Sequence, residues 1–421
     1  MKTDTTVLAF QHPDEINDPL TYVLRDGARR LLAQAIEAEA GAFLAIMKDE
    51  RLPDGRARLV RHGHGPQRTI QTGIGPVTVR RVKLRDRGAA EADGITFTSA
   101  ILPKWARRTR SLDALLPVLY LRGISTGDFQ EALAALLGDD ALNLSPSVIG
   151  RLKEEWTIEY DRWQRRDLSA KRYVYIWADG VYLQARMEGS AACMLVVIGA
   201  TPEGKKELIG FQVGVRESAQ SWRELLVDLK ARGLAAAPEI AVGDGALGFW
   251  KALDEIFPAT RHQRCWVHKA ANVLNKVPKS VQQNIKADLR EVRDAPDRTT
   301  ADAAIAVFVD KYGAKYPKAV ECLTKDREAL LAFFDFPAEP WDHLRTTNPI
   351  ESVFATVRHR TVRTKGALSH KTARLMVFKL VIAASKTWRR LKGENQLPRV
   401  VEGIKFTDGV AIIATPKKDA A

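Results

Sequence analysis

Three acidic residues, Asp179, Asp244 and Glu351, are the positions through which this chain could do chemistry. Asp179 follows the apolar, β-rich run Tyr173-Val174-Tyr175-Ile176-Trp177-Ala178, and Asp244 follows Ile240-Ala241-Val242-Gly243; each is succeeded by a glycine. Such runs predict buried strands, and each aspartate then stands at a strand's C-terminal end, where α/β sheets place their ligand sites. Glu351 follows Asn348-Pro349-Ile350, which predicts a helix start. Carboxylates are hard oxygen donors, so this trio suits Mg²⁺, with Mn²⁺ as a substitute, better than metals that prefer His or Cys. A pair of such ions about 3.5–4 Å apart can activate a water or hydroxyl against a phosphodiester and steady the leaving oxygen. Taken singly, each acid has a plainer reading. Asp-Gly after a strand is often a simple turn, and Glu351 stands where the third helical residue of a capping box with Asn348 would be. Their order and matching contexts favour the metal reading.

The composition points the same way. Over 421 residues, 65 Lys and Arg face 51 Asp and Glu, a formal charge of +14. Such a surplus implies an anionic partner, nucleic acid first and an acidic membrane surface second. The charge is unevenly placed: Gly55–Arg85 holds eight Lys/Arg and no acid, and Ser352–Gly393 holds eleven and again no acid. A merely solvated face mixes signs. No apolar run reaches about 18 residues, so no membrane span is expected. The first 20 residues carry Asp4, Asp14, Glu15 and Asp18, which argues against a secretory signal. Cys193, Cys265 and Cys322 are scattered and make no disulfide framework, as expected of reduced thiols in a cytosolic protein.

Several elements must position the acids. Apolar residues at helical spacing predict a helix from about Pro19 to Lys48, and the alternation around Gly73-Ile74-Gly75-Pro76 predicts a basic β-hairpin. Capped starts at Ser125 and Ser145 predict two short helices, a helix-turn-helix whose second member could enter a major groove. Strands are expected at Tyr173–Ala178, Cys193–Ala200 and Glu207–Val213, then a helix at Ala219–Arg232, a strand at Ile240–Val242, a helix at Ala246–Ile256 and a strand at Thr260–Val267. That is the order of an RNase H-like (retroviral-integrase-like) mixed sheet, an α/β fold whose first and fourth strands are neighbours. About 80 helical residues then precede Glu351, too many for a loop, so they are expected to form an inserted domain. A further amphipathic helix is expected at Ser369–Leu391.

Five strings give the chain a resemblance. They are Asp179-Gly180-Val181-Tyr182-Leu183; Ser221-Trp222 followed by Leu229-Lys230-Ala231-Arg232-Gly233-Leu234; Gly243-Asp244-Gly245-Ala246-Leu247-Gly248-Phe249-Trp250-Lys251-Ala252; Phe257-Pro258 through Cys265-Trp266-Val267-His268-Lys269; and Leu344-Arg345-Thr346-Thr347-Asn348-Pro349-Ile350-Glu351-Ser352. In this order and spacing the chain resembles the Mutator-type transposases of bacterial insertion sequences over nearly its whole length, most loosely in its N-terminal third. The resemblance implies an RNase H-like core with a helical insertion and an Asp-Asp-Glu triad at Asp179, Asp244 and Glu351.

The expected organisation is therefore a helix and basic hairpin over 1–100, a helical DNA-binding region over 101–170, a catalytic core over 171–365 with its insertion at about 269–341, and a basic helix and tail over 366–421. The expected substrate is double-stranded DNA, the element's inverted-repeat ends and a target. The protein would act as a homodimer or larger homo-oligomer in the bacterial cytoplasm, at the nucleoid when bound. Cys265 and His268 have zinc-ligand spacing, but a closed site needs four ligands and no second compact Cys/His pair exists. Cys265 is expected to pack in the interior. His268 and Lys269 are expected at the rim of the site, on DNA or beside the third carboxylate. Asn348, Arg358, Arg360 and Arg363 would line the DNA path, the arginines on backbone rather than bases. Two rivals remain at this stage: an RNase H-fold nuclease or resolvase that joins nothing, and a sequence-specific DNA-binding regulator built on the Ser125–Trp156 helices.

Overall fold

The structure, a computed structural model, describes residues 19–88, 94–112, 115, 119, 146–182, 193–214, 217–245, 247–363 and 370–412. The chain divides into two compact units, 1–152 and 153–421.

In the first unit, α1 (Pro19–Ile46) lies on a long antiparallel hairpin, β1 (Leu59–Thr72) and β2 (Gly75–Asp86). The hairpin turns at Gly73-Ile74, and Gly75 takes φ +98°, which a side chain would strain. Ile36 and Ala40 of α1 meet Ile70, Val77, Val79 and Val82 in a small core. The expected basic face is partly neutralised, because Arg61 and His64 both pair with Glu37, and Arg58 pairs with Asp86. The first helix of the expected helix-turn-helix lies outside the described residues, while its partner forms α2 (Pro146–Gln164).

The second unit is built on a five-stranded mixed sheet. Its strands are β3 (Tyr175–Tyr182), β4 (Cys193–Ala200), β5 (Lys206–Gly214), β6 (Ile240–Gly243) and β7 (Arg261–Arg264), in the order β5-β4-β3-β6-β7. β3, β4 and β5 pair antiparallel; β6 and β7 join in parallel. Parallel pairing needs crossovers, which α3 (Ala219–Ala231) and α4 (Leu247–Ile256) supply. Side chains alternate along a strand, so Ile176 and Ala178 of β3 and Ala241 of β6 pack with Trp222, Leu225, Leu226, Phe249 and Leu253 of those helices. Tyr175 and Trp177 face the other way, where Trp177 Nε1 donates to the His343 carbonyl at 2.8 Å.

The expected insertion is helical: α5 (Trp266–Leu274), α6 (Lys279–Arg293), α7 (Arg298–Tyr312), α8 (Pro317–Thr324), α9 (Arg327–Leu331), a 3₁₀ turn at Ala332–Asp335, and α10 (Trp341–Leu344). Then come α11 (Asn348–Arg363) and α12 (His370–Ser385), which pack on the sheet. The predicted last strand is shortened, since the chain enters α5 at Trp266 and leaves Cys265 as its N-cap residue. The predicted last long helix ends at Ser385, six residues early.

Candidate active site

Ala178 of β3 pairs with Gly243 of β6 in parallel register, so Asp179 and Asp244 are the next residues on adjacent chains. The two-residue period that sends Trp177 away from α3 and α4 sends Asp179 the same way, with Asp244 beside it. The sequence reading placed Asp179 at a strand end. Instead β3 runs on to Tyr182, held by antiparallel β4, with Asp179 opposite Val196. The parallel pairing with β6 ends one residue earlier, at Ala178, so the aspartate still marks the point where two parallel strands part.

The two Asp-Gly pairs therefore differ. Gly180 lies in the strand, opposite Leu195. A Cβ there would come within 3.0 Å of Cys193 Sγ and of the Glu217 carboxylate. Gly245 is a true turn residue at φ +98°, and the Arg264 guanidinium covers it so closely that a Cβ would sit 1.6 Å from Cζ.

Asp179 is only 7 % exposed, and Gly180 N donates to its Oδ1 at 2.8 Å. Burial, and then the charge of Asp244, push its pKa up to about 7. Glu217 is a fourth carboxylate that sequence reasoning missed. Burial and Asp244 raise it, too, to about 7; the Trp222 indole offsets part of that. Glu217 stands just before Ser218, the N-cap of α3, whose hydroxyl accepts from Ser221 N. Read alone, an acid there is a favourable helix-start charge, and only the fold turns it back toward Asp179.

Glu351 arrives on α11. Asn348 is the first residue of that helix rather than its cap, so the capping-box reading is replaced. Thr347 precedes the helix: its carbonyl accepts from Glu351 N at 3.1 Å, and its hydroxyl lies 3.0 Å from Glu351 Oε1. Asn348 is exposed. Arg358, Arg360 and Arg363 fall on the later turns of α11.

Cys265 ties these elements together. Its backbone N donates to the Gly243 carbonyl at 2.8 Å, just before Asp244, and its Sγ accepts from Thr347 N at 3.3 Å. Thr347 Oγ1 lies 3.4 Å from the same sulfur. Burial disfavours a thiolate, yet His268 and Thr347 outweigh it and hold the Cys265 pKa below its ordinary value. The expected packing role is thus too small: Cys265 is buried, and it also joins Asp244's strand to Glu351's helix. His268 lies beside it, with Nδ1 3.9 Å from Glu351 Oε1. Its pKa is pushed up to about 9, first by Cys265, against the cost of burial, with Asp179 and Asp244 adding to the rise. Cys265, His268 and Glu351 offer three donor atoms within 4.8 Å of one another, one short of a closed tetrahedral zinc site.

Lys269 does not share this rim. It is 1 % exposed, donates to the Cys322 carbonyl at 2.8 Å and pairs with Asp326. Consecutive helical residues point about 100° apart, which carries Lys269 into the insertion.

This arrangement gathers acids, with one imidazole, around the point where β3 and β6 separate. The family model for transposases of the Mutator family matches residues 2–390. The transposase for insertion sequence element IST2 of Acidithiobacillus ferrooxidans is 52 % identical over 67 % of this chain and 95 % of its own. That for IS6120 of Mycolicibacterium smegmatis is 48 % identical over 71 % of this chain and 92 % of its own. The chain belongs to the Mutator family of transposases. The solved catalytic domain of the Mos1 mariner transposase aligns with 45 % of the chain at 13 % identity and a TM-score of 0.16, too poor a superposition to argue from. No helix among the described residues is long and apolar enough to cross a membrane.

Proposed function

We propose that the protein is an insertion-sequence transposase that binds the element's inverted-repeat ends, cleaves a strand and joins the freed 3′-OH to target DNA, with Asp179, Asp244 and Glu351 as its catalytic triad. The observation that carries this reading is the register of β3 and β6. It sets Asp179 and Asp244 side by side on one face, with His268 coupled to both and 3.9 Å from Glu351. The strand order supports an RNase H-like core.

The residues fit divalent cations. The donors are carboxylate oxygens, as Mg²⁺ or Mn²⁺ prefers, and Asp179, raised first by burial, is raised further by Asp244, a repulsion that a bound cation relieves. Asp179, Asp244 and Glu351 would hold the ions, which when bound would supply activation of the attacking hydroxyl and stabilisation of the leaving oxygen. The protein's own groups do the rest. Thr347 orients the Glu351 carboxylate, Cys265 fixes that helix start against β6, and His268 places positive charge beside the phosphate that is to react. In the first step water's oxygen bonds to phosphorus as the 3′-oxygen leaves, taking up a proton. In the second, the 3′-hydroxyl gives up its proton as its oxygen bonds to a target phosphate, and the target's own 3′-oxygen leaves and takes up a proton. The protein would act as a homodimer or larger assembly at the bacterial nucleoid. Incubating it with its flanking DNA, a target duplex and Mg²⁺ and mapping the products tests this. Joined strands are expected, whereas cut ends that never join would make it a nuclease, and neither product would sink the reading.

A further inference from the structure

Outside the acidic site, a cavity of about 240 Å³ is lined by Arg264, Lys269, Asn272, Asn275, Lys276 and Lys325. Lys269, Asn272 and Lys276 recur at spacings of three and four, so one side of α5 and its C-terminal cap supply a wall. Among the described residues only one carboxylate answers these four cations by ion pairing. Asp326 takes Lys269 Nζ and stands 3.5 Å from Arg264 Nη2. Lys276 and Lys325 are exposed, and neither has an ion pair among the described residues. The Arg264 side chain is only 11 % exposed, and its Nε is buried with no hydrogen-bond partner among the described residues. Cations held this close without matching acids repel one another, and an anion seated among them is favoured.

The pocket's place suggests which anion. Arg264 both lines it and covers Gly245, the residue after Asp244. The cavity thus begins one residue from the second aspartate. We propose that this pocket is a phosphodiester-binding subsite, holding a backbone phosphate of the DNA that passes Asp244. The identity of that DNA as substrate rests on the transposase reading above. Arg264 presents a planar fork to phosphate oxygens, Lys276 and Lys325 act as mobile point charges, and the Asn272 and Asn275 amides add donors. Lys269, fixed by Asp326 and the Cys322 carbonyl, contributes charge from beneath rather than direct contact. Contacts of this kind hold the duplex in place without reading its sequence.

The test uses the full chain carrying Lys276→Ala and Lys325→Ala, both exposed positions whose loss leaves the fold intact. Its affinity for a random-sequence duplex is measured without divalent metal over a range of salt. The slope of log affinity against log salt is expected to become shallower by about one unit per lysine, with affinity falling about tenfold or more in moderate salt. A charge-matched variant at exposed sites on or beside α8, Lys315→Ala with Lys318→Ala, is expected to lose less than half as much. A slope equal to the wild type's, or an equal loss in the control pair, overturns the subsite while leaving the transposase reading standing. Wild-type protein that binds no DNA overturns both. Tight binding of inorganic phosphate that needs these lysines, with duplex affinity unchanged by their removal, would make this a small-anion site and also overturn the proposal.

Discussion

His268 Nδ1 stands 3.9 Å from Glu351 Oε1, and the same imidazole is coupled by charge to Asp179 and Asp244. One ring that holds its proton well above neutrality thus neighbours three carboxylates from three separate elements. It comes from a helix whose first residues are anchored on both sides, by Cys265 N on Gly243 O and by Trp266 N on Arg345 O, each at 2.8 Å.

Replacing the acids by amides keeps their shape and removes the charge that would hold a cation. Asp179→Asn, Asp244→Asn and Glu351→Gln are each expected to lower cleavage and joining at least about a hundredfold, the scale of deleting one preorganised charge-stabilising group. DNA affinity should change little, as read by gel shift beside the cleavage assay. Robust cleavage by any one variant would remove that residue from the triad.

Asp179 and Glu217 give the folded protein a pH signature. Each is raised to about 7 in the folded state, from ordinary values of 3.8 and 4.5. In the unfolded chain both ionise near those ordinary values, so the folded state holds more protons between about pH 4 and 7. Metal-free protein should therefore lose thermal stability as pH rises through that window, with the loss complete above about 7. Asp179→Asn should flatten part of the slope, and Mg²⁺ should raise Tm more above about pH 7 than near pH 5. Glu217→Gln should flatten it likewise. A Tm profile unchanged by both substitutions would mean that neither group is displaced.

The two glycines should fail for different reasons. Gly245→Ala forces an alanine into φ +98°, a cost of about 1–2 kcal/mol from backbone alone, and it must also expel the Arg264 guanidinium. Gly180→Ala has an acceptable backbone and instead overpacks Cys193 and Glu217, costing about 1–3 kcal/mol. Denaturant melts of both proteins measure this, and pairing Gly180→Ala with Glu217→Ala should recover much of its loss. No recovery would show that Cys193, not Glu217, bears the clash.

Cys265 and His268 should separate stability from catalysis. Cys265→Ser keeps a hydrogen-bonding group at the Thr347 contact but shortens it, and should lower Tm modestly while slowing joining. His268→Ala removes charge beside Glu351, so joining assayed well below Tm should fall about tenfold or more, on the scale of lost proton-transfer or charge assistance, while Tm falls modestly at neutral pH, where the proton the fold holds up to about 9 is stabilising. Metal analysis of purified protein should find no tightly held zinc, since the cluster offers three donors. One zinc per chain, lost in both variants, would overturn that reading.

The order of strands and helices along the chain, the helical stretch before Glu351 and the three candidate acids were legible in the sequence because they depend on local pattern. Apolar runs of four to eight residues make strands, and a long helical stretch between Asp244 and Glu351 cannot be a loop. Five ordered motifs also carried the family resemblance. What local pattern cannot express is proximity. Gly180 and Gly245 both follow an aspartate, yet one is a strand residue leaving room for Glu217 and the other a turn roofed by Arg264, a difference made by chain segments some 20–40 residues away in sequence. Glu217 read as a helix-start charge and Lys269 as a neighbour of His268, because sequence adjacency says nothing about which side of α5 each takes once β7 ends at Arg264. The sequence thus determined which side chains are available for chemistry. Register between β3 and β6, and the turn of one helix against them, decided which of those side chains share a site, since electrostatic coupling depends on distance through space and not along the chain.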